Sequence, residues 1–149
     1  MMIRCCLVLF LMYFPFQTQA KPVSEFSVDN YKNQVVYLDF WASWCSPCLL
    51  SFPWMIEMQK KYEKDGLKIV TINVDREKKD GDRFLRRFKI NFPVFYDPKM
   101  ALADQLEVES IPTSFLYNKE GKLISKHVGF DSKKAEKYEK ELRSLLGLD

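Results

Sequence analysis

The chain has 149 residues, of which 47% are hydrophobic and 15% aromatic, so it can form one domain with a sizeable core. Its 23 basic and 20 acidic side chains give a net charge of +3 and are mixed along the sequence. A nucleic-acid-binding protein would instead concentrate basic side chains on one surface, so no nucleic-acid partner is expected.

The first twenty residues predict a secretory signal peptide. Arg4 supplies a positive charge, an apolar run covers residues 5–16, and Thr18-Gln19-Ala20 places small residues where cleavage requires them. The run is shorter than the roughly 20 residues that span a bilayer. We therefore expect cleavage after Ala20 and an exported domain over residues 21–149, in the periplasm or another extracytoplasmic space. An uncleaved membrane anchor over residues 3–16 is the alternative.

The predicted elements alternate between strands and helices. An extended entry strand with a turn around Asp29-Asn30 is predicted over residues 23–33. Further strands are predicted from Val35 onward and over 67–74, 93–96, 114–117 and 123–128, with a hairpin turn at 118–121. Helices are predicted over 46–64, 82–89, from Asp97 to about 106, and from Asp131 or Ser132 onward. This order favours an α/β fold with one mixed sheet and helices on both faces.

The predicted helix over residues 46–64 follows directly on the buried strand that begins at Val35. Helical spacing places Leu49, Phe52 and Ile56 on its buried face, together with Met55 and Gln59, and Gly66 ends it. Pro53 is expected to kink it.

Four cysteines are present, and two of them, Cys5 and Cys6, lie in the predicted signal peptide. The exported part then contains only Cys45 and Cys48. One close pair does not make a disulfide scaffold, so the pair is expected to cycle between dithiol and disulfide. A structural disulfide or half a zinc site is the alternative, but a CxxC motif beside a βαβ pattern is typical of redox proteins.

The predicted turn between strand and helix places Cys45 at a helix N-terminus. The unpaired backbone N–H groups and the helix dipole there lower the pKa of a thiol. Ser46 and Pro47 between the cysteines allow a small disulfide ring to close. Trp44 is expected to shield the site and to offer an apolar contact surface.

The segment LDFWASWCSPC, residues 38–48, resembles the active-site segment of the thioredoxin superfamily. Pro53, five residues after Cys48, and Asp39, six residues before Cys45, match the kinking proline and the buried acid of those proteins. The predicted export, an added segment over residues 81–96 and the phrase Asp97-Pro98-Lys99 resemble the TlpA/ResA-like branch of extracytoplasmic thiol-disulfide oxidoreductases. This resemblance implies a thioredoxin-like fold with an extra helix-strand segment before a cis-proline loop.

The resemblance also implies roles for residues distant in sequence. Ile111-Pro112 would form a cis-proline loop that faces the CxxC motif, exposes the Ile111 backbone to a substrate strand and keeps metal from the cysteines. Pattern alone would make Pro112 an ordinary proline at the start of a strand. In the implied mechanism an exposed Cys45 thiolate attacks a substrate disulfide, and the more buried Cys48 resolves the mixed disulfide.

Asp39 is expected to take the proton of Cys48, as the resemblance implies. Its apolar neighbours argue against the alternative of a solvent-facing acid at the end of a strand. Thioredoxin pairs its buried acid with a lysine, and the matching position here is Thr71, so the pKa of Asp39 is expected to be high. The only histidine, His127, is expected to be a surface or packing residue, although an acid–base or metal role is the alternative.

The uncharged Ser46-Pro47 pair resembles the pair found in the reducing members of the thioredoxin superfamily, so a reductase of protein disulfides is predicted. By resemblance, its substrates would be apocytochrome c haem-site cysteines or copper-centre assembly proteins, and a membrane thiol reductase would supply electrons. A monomer without a cofactor is expected. The alternatives are an oxidase or isomerase on the same fold, a CxxC metal chaperone and a peroxidase. A closed four-ligand zinc site would need more cysteines and histidines than the exported part contains.

Overall fold

A computed structural model describes residues 21–149; the predicted signal peptide, its apolar run and Cys5 and Cys6 lie outside the described residues. The strands are β1 Lys21–Pro22, β2 Val35–Trp41, β3 Leu67–Asn73, β4 Val94–Tyr96, β5 Thr113–Tyr117 and β6 Leu123–Val128. The helices are α1 Cys48–Tyr62, α2 Lys78–Leu85, α3 Ala101–Gln105 and α4 Ser132–Leu146. Within residues 21–149, no helix has the length and hydropathy needed to cross a membrane.

The six strands form one mixed sheet in the order β1-β4-β3-β2-β5-β6. Strands β1, β4, β3 and β2 pair in parallel, whereas β5 and β6 are antiparallel to their neighbours. The predicted α/β class and mixed sheet are confirmed. The extra helix and strand before the proline loop are present as α2 and β4.

Strand β2 lies at the centre of the sheet because nearly every residue in it is apolar. All seven residues are buried, including Asp39. A strand that is covered on both faces by other elements reads as a continuous apolar run, and Val35–Trp41 has that character. The loop that follows β2 carries both cysteines, so the centre of the core positions the site.

An aromatic cluster joins α1 and α2 to the sheet. The Trp41 ring lies 4.9 Å from those of both Phe52 and Phe84, measured between centroids, and aromatic rings at such distances attract each other. Helix α2 approaches the sheet closely at Gly81, where a Cβ atom would lie 2.8 Å from Oδ1 of Asn73. A larger residue at this position would push α2 away from β3.

The predicted extended strand over residues 23–33 is wrong, whereas the turn predicted around Asp29-Asn30 is confirmed. Only Lys21–Pro22 pair as a strand, and two 3-10 turns follow, at Val23–Glu25 and Val28–Tyr31. The Ser27 side chain accepts a hydrogen bond from the Asp29 backbone N–H, which stabilises a turn instead of an extended chain.

Helix α1 begins at Cys48, two residues later than predicted, and ends at Tyr62, before a 3-10 turn and Gly66 with φ 100°. The prediction that Leu49 is buried is wrong, since it is 40% exposed. The predicted burial of Phe52, Met55 and Gln59 is confirmed. The Gln59 side chain accepts a hydrogen bond from the backbone N–H of Ile69 and donates one to the carbonyl of Leu67 in β3.

Two other helices also differ from their predicted bounds. Helix α2 covers 78–85 instead of 82–89, and Lys78 forms an exposed ion pair with Asp82 one turn later. Helix α3 starts only at Ala101, four residues later than predicted, with Met100 as its N-cap. The Asp97 carboxylate nevertheless accepts hydrogen bonds from the first three backbone N–H groups of the helix.

Candidate active site

The loop between β2 and α1 is held in place by the end of the neighbouring strand β3. The Asp75 carboxylate accepts hydrogen bonds from the backbone N–H of Ser43 at 3.0 Å and from its hydroxyl at 2.9 Å. Asn73 donates to the same carboxylate at 2.7 Å. Asp75, which the sequence predicted only as the end of β3, therefore anchors the chain two residues before Cys45.

Cys45 and Cys48 form a disulfide at the N-terminus of α1, with their Cα atoms 5.4 Å apart. The backbone N–H of Cys48 donates to Cys45 Sγ at 3.2 Å. This N–H also donates to the Cys45 carbonyl at 3.2 Å. After reduction it would help to stabilise a thiolate on Cys45, because backbone N–H groups at the start of a helix favour negative charge.

In the disulfide form both cysteines are buried, with Cys45 4% exposed and Cys48 completely buried. The exposure predicted for the Cys45 thiolate concerns the reduced protein and stays a prediction. Cys45 is the more exposed of the two cysteines, as expected.

An apolar rim surrounds the disulfide. Trp44 is 69% exposed, and Leu50 and Leu49 are 60% and 40% exposed. Ser46 and Pro47 are exposed as well. Trp44 therefore presents most of its ring to solvent, and the predicted apolar contact surface is present. Large exposed apolar side chains that lie together mark a surface for binding other molecules.

The proline loop lies at the edge of the sheet from which the cysteine loop leaves. The Ile111–Pro112 peptide bond is cis, as the resemblance implied. Thr113 pairs with Phe40 in β2, so Pro112 stands beside the end of β2 that leads towards Cys45. Ile111 is half-buried and, within residues 21–149, its backbone forms no hydrogen bond with another backbone group.

Asp39 faces α1 from the middle of β2. Side chains alternate along a strand, so Asp39 shares a face with Tyr37 and Trp41, whose rings contact Trp54 and Phe52 of α1. Asp39 is 1% exposed. The predicted position of a buried carboxyl group beneath the helix that carries Cys48 is therefore confirmed.

Burial raises the pKa of Asp39 to about 8, and a hydrogen bond from Ser114 acts in the opposite direction. Ser114 donates to Oδ1 at 3.0 Å, and Oδ2 has no partner among the described residues. Thr71 occupies the paired position on β3, as predicted, and its hydroxyl bonds to the Pro93 carbonyl at 3.4 Å. The expected high pKa follows from burial without a cationic partner.

Ser114 and Tyr37 were not predicted as site residues. Ser114 lies two residues after the cis-proline, pairs with Asp39 across the sheet and also bonds to the Tyr37 hydroxyl at 2.7 Å. The sequence signal was a serine inside the buried strand TSFLY, where an apolar residue is usual. Its partner, however, is 75 residues away in sequence, so the pairing depends on the register of β2 and β5.

His127 packs behind the site and is not at the surface. It is 5% exposed, its ring stacks on Tyr138 with centroids 3.8 Å apart, and Nε2 lies 2.7 Å from a Glu141 oxygen. Burial lowers the pKa of His127, although Glu141 opposes the change. The packing role that the sequence favoured is confirmed.

The central mixed sheet, the CxxC disulfide at the start of α1 and the cis-proline beside it define a thioredoxin-like protein. The chain matches the redoxin family over residues 12–142, and it belongs to this family.

Its similarity to named proteins agrees with that class. It is 36% identical over 97 residues to the thiol-disulfide oxidoreductase ResA of Bacillus subtilis, covering 65% of this chain and 54% of that protein. The crystal structure of a Chlorobium tepidum protein assigned as thiol:disulfide interchange protein DsbE is 42% identical, with a TM-score of 0.78, covering 80% of this chain and 85% of that one. The exposed lipoprotein thioredoxin of Streptococcus pneumoniae is 33% identical, with a TM-score of 0.67, and the match covers 84% of this chain and 96% of that one.

The chain spans only part of the curated relatives. It covers 54% of the length of the Bacillus subtilis protein and 63% of that of the Bacillus cereus ResA.

Proposed function

We propose that this protein is a thiol-disulfide oxidoreductase that cycles Cys45 and Cys48 between a dithiol and a disulfide. The observation that carries the proposal is the disulfide at the N-terminus of α1, where the Cys48 backbone N–H donates to Cys45 Sγ. A pair in this position can hold a reactive thiolate when reduced and can close a ring when oxidised. The relatives named thiol-disulfide oxidoreductases support the same activity.

The cycle transfers two electrons from the protein to its substrate. The Cys45 thiolate attacks one sulfur of a substrate disulfide, which breaks that bond and forms a mixed disulfide. Cys48 then loses its proton to Asp39 and attacks Cys45 Sγ, which forms the Cys45–Cys48 bond. The substrate leaves with two reduced sulfurs, which take protons from solvent.

The surroundings of the cysteines are suited to binding a polypeptide. Trp44, Leu49 and Leu50 offer apolar side chains beside the disulfide. The unpaired backbone of Ile111 offers hydrogen bonds to an extended segment of the substrate, in the manner of an added strand. Ser46 and Pro47 lie between the cysteines and carry no charge. We therefore assign the substrate as a protein disulfide presented on an extended chain.

We further propose that the protein works as a reductase outside the cytoplasm, with residues 1–20 as its export signal and a monomer as its working form. Apocytochrome c haem-site cysteines and copper-centre assembly proteins are the proposed substrates, and a membrane thiol reductase is the proposed electron donor. The uncharged Ser46-Pro47 pair supports reduction, not oxidation, of the substrate. The similarity to an exposed lipoprotein thioredoxin supports a location outside the cytoplasm.

The reduction potential of the Cys45–Cys48 pair tests the direction. We expect equilibration with a dithiothreitol or glutathione series to give a value near that of thioredoxin, about −270 mV. A value near −120 mV, typical of a strong disulfide oxidant, would contradict the reductase and favour the oxidase or isomerase.

A non-enzymatic metal chaperone has less support. Within residues 21–149, the His, Cys, Asp and Glu side chains form no group of three that would bind a metal ion. The cysteine pair would supply two thiolate ligands only, whereas a structural zinc site takes four ligands. Titrating the reduced protein with Zn²⁺ and Cu⁺ tests this alternative directly.

Removing the Trp44 side chain is expected to weaken substrate binding. Trp44→Ala removes the largest exposed apolar group of the rim, and we expect KM for a disulfide-bonded protein such as insulin to rise roughly fivefold or more. The reduction potential should stay unchanged, because the cysteines and the helix N-terminus are untouched.

Leu123→Ala is the matched control for this variant. Leu123 is also exposed and apolar, but it lies on edge strand β6. Equal KM values for the Trp44→Ala protein and the unchanged protein would show that the ring does not contact substrate.

A further inference from the structure

A chain of two hydroxyl groups ends on the buried acid. The Tyr37 hydroxyl lies 2.7 Å from Ser114 Oγ, and Ser114 Oγ lies 3.0 Å from Asp39 Oδ1. All three residues are at most 3% exposed. The two contacts join neighbouring strands, β2 and β5, on the face of the sheet that α1 covers.

The chemistry of the groups sets the direction of these hydrogen bonds. An ionised carboxylate only accepts, so the Ser114 hydroxyl must donate its single proton to Asp39. The Ser114 oxygen then accepts from the Tyr37 hydroxyl. Each bond in such a chain polarises the next, which makes Ser114 a stronger donor to Asp39.

The other atom of the same carboxyl group, Oδ2, has no partner among the described residues. One oxygen is therefore held by a donor, and the second is left available. A carboxyl group that is anchored through one oxygen presents the other in a defined orientation.

Two titratable side chains interact with the charge of Asp39, namely Tyr37 on its own strand and Tyr138 on α4. Burial raises the pKa values of both phenols, so both stay neutral near pH 7. Behind them, the His127 ring stacks on Tyr138 and bonds to Glu141 of α4, while α1, which begins at Cys48, covers the same face of the sheet. Among the described residues, Ser114 supplies the only hydrogen bond to the Asp39 carboxyl group.

We propose that Ser114 and Tyr37 are positioning residues for proton transfer, which hold Asp39 through Oδ1 and leave Oδ2 as the atom that takes the Cys48 proton. This inference rests on the role of Asp39 in the proposed function. A base must be able to lose its proton near the working pH, and burial alone would keep this carboxyl group protonated. The hydroxyl chain stabilises the ionised form and so keeps the group within a useful range.

Removing the chain tests the inference without relying on activity. In the reduced full-length protein, the Asp39 carboxyl titration can be followed by ¹³C NMR. We expect Ser114→Ala to raise its midpoint by about one pH unit or more, since the lost bond favoured the charged form. Tyr37→Phe should raise it by less, because Ser114 still donates, and Ser114→Thr should restore the original midpoint.

Two matched controls remove hydroxyl groups that do not belong to the chain. Ser125→Ala removes a hydroxyl that bonds to Glu141, and Tyr62→Phe removes one that bonds to Glu139. Both variants should leave the Asp39 midpoint unchanged. Because Tyr37→Phe keeps the ring in the core, it provides a second variant if Ser114→Ala does not fold.

The pH dependence of single-turnover reduction of insulin links this titration to the reaction. The rate should change with pH as Asp39 ionises. In Ser114→Ala, we expect the midpoint of that change to shift to higher pH by the same amount as the NMR midpoint. Unchanged midpoints in both Ser114→Ala and Tyr37→Phe would overturn the inference, and so would a shifted midpoint with an unshifted rate profile. Failure of the unchanged protein to reduce any disulfide would instead contradict the proposed function, whatever the Asp39 titration shows.

Discussion

Replacing Cys45 with serine is expected to abolish disulfide reduction, lowering kcat/KM by roughly a thousandfold or more, equivalent to about 4 kcal/mol of transition-state stabilisation. A serine hydroxyl is not ionised near neutral pH, so the N–H group that donates to Cys45 Sγ would have no thiolate to stabilise. Reduction of insulin by the pre-reduced protein measures the loss.

Cys48→Ser separates the two steps of the proposed cycle. Cys45 would still attack, but no second thiol could release the substrate, so a mixed disulfide should accumulate and be visible by mass spectrometry. Serine at Cys5 and Cys6, in the predicted signal peptide, is the matched control and should leave activity unchanged. Cys45→Ser protein that retains activity, or Cys48→Ser protein that turns over normally, would contradict the assigned roles.

Replacing Asp39 with asparagine is expected to remove a pH-dependent destabilisation of the fold. The pKa of Asp39 is about 8 in the folded protein, against a usual value of 3.8, because the side chain is buried. Between these values the unfolded chain has released the proton that the folded protein keeps. The free energy of unfolding therefore falls as pH rises across this window, by about 1.4 kcal/mol per pH unit for this group.

Asparagine carries no such proton, so the variant should gain stability over the unchanged protein as pH rises from about 5 to about 8, and the difference should level off above. Urea unfolding of the disulfide form at a series of pH values measures it, because the cysteines do not titrate in that form. Asp65→Asn, at an exposed position, is the matched control. A stability difference between the Asp39→Asn and unchanged proteins that does not change with pH would contradict a raised pKa for Asp39.

The two predictions probe different parts of one arrangement. The cysteine variants test the reacting sulfurs at the surface end of α1, and the asparagine variant tests the carboxyl group beneath that helix. An ionisable group that costs stability in the folded state is typical of a functional site, since a structural role would be filled better by an apolar residue.

Local sequence predicted the cysteine site well. The apolar run of β2, the CxxC motif and Gly66 with positive φ after α1 were each recognisable, because periodicity and turn chemistry depend on neighbouring residues. The cis Ile111–Pro112 bond required the resemblance as well, since pattern alone favoured an ordinary proline. The burial of Asp39 was already indicated by its apolar neighbours, and only its proposed role came from the resemblance.

Two errors arose in different ways. Helical spacing placed Leu49 on the buried face of α1, but Leu49 is 40% exposed, while Gln59, which the same spacing included, is buried and bonds to the backbone of β3. The strand predicted over residues 23–33 is replaced by turns, one of which a local hydrogen bond from the Asp29 backbone N–H to the Ser27 side chain stabilises.

The sequence by itself determined the α/β class, the pair of cysteines and their setting between a buried strand and a helix, because these depend on residues close together in the chain. Only the tertiary structure decided what surrounds that pair. Ser114 is opposite Asp39 because β5 runs antiparallel to β2 in one particular register, and Asp75 holds Ser43 because β3 ends beside the cysteine loop. Strand register and loop packing depend on the whole core, since a shift of one residue would turn each of these side chains to the other face.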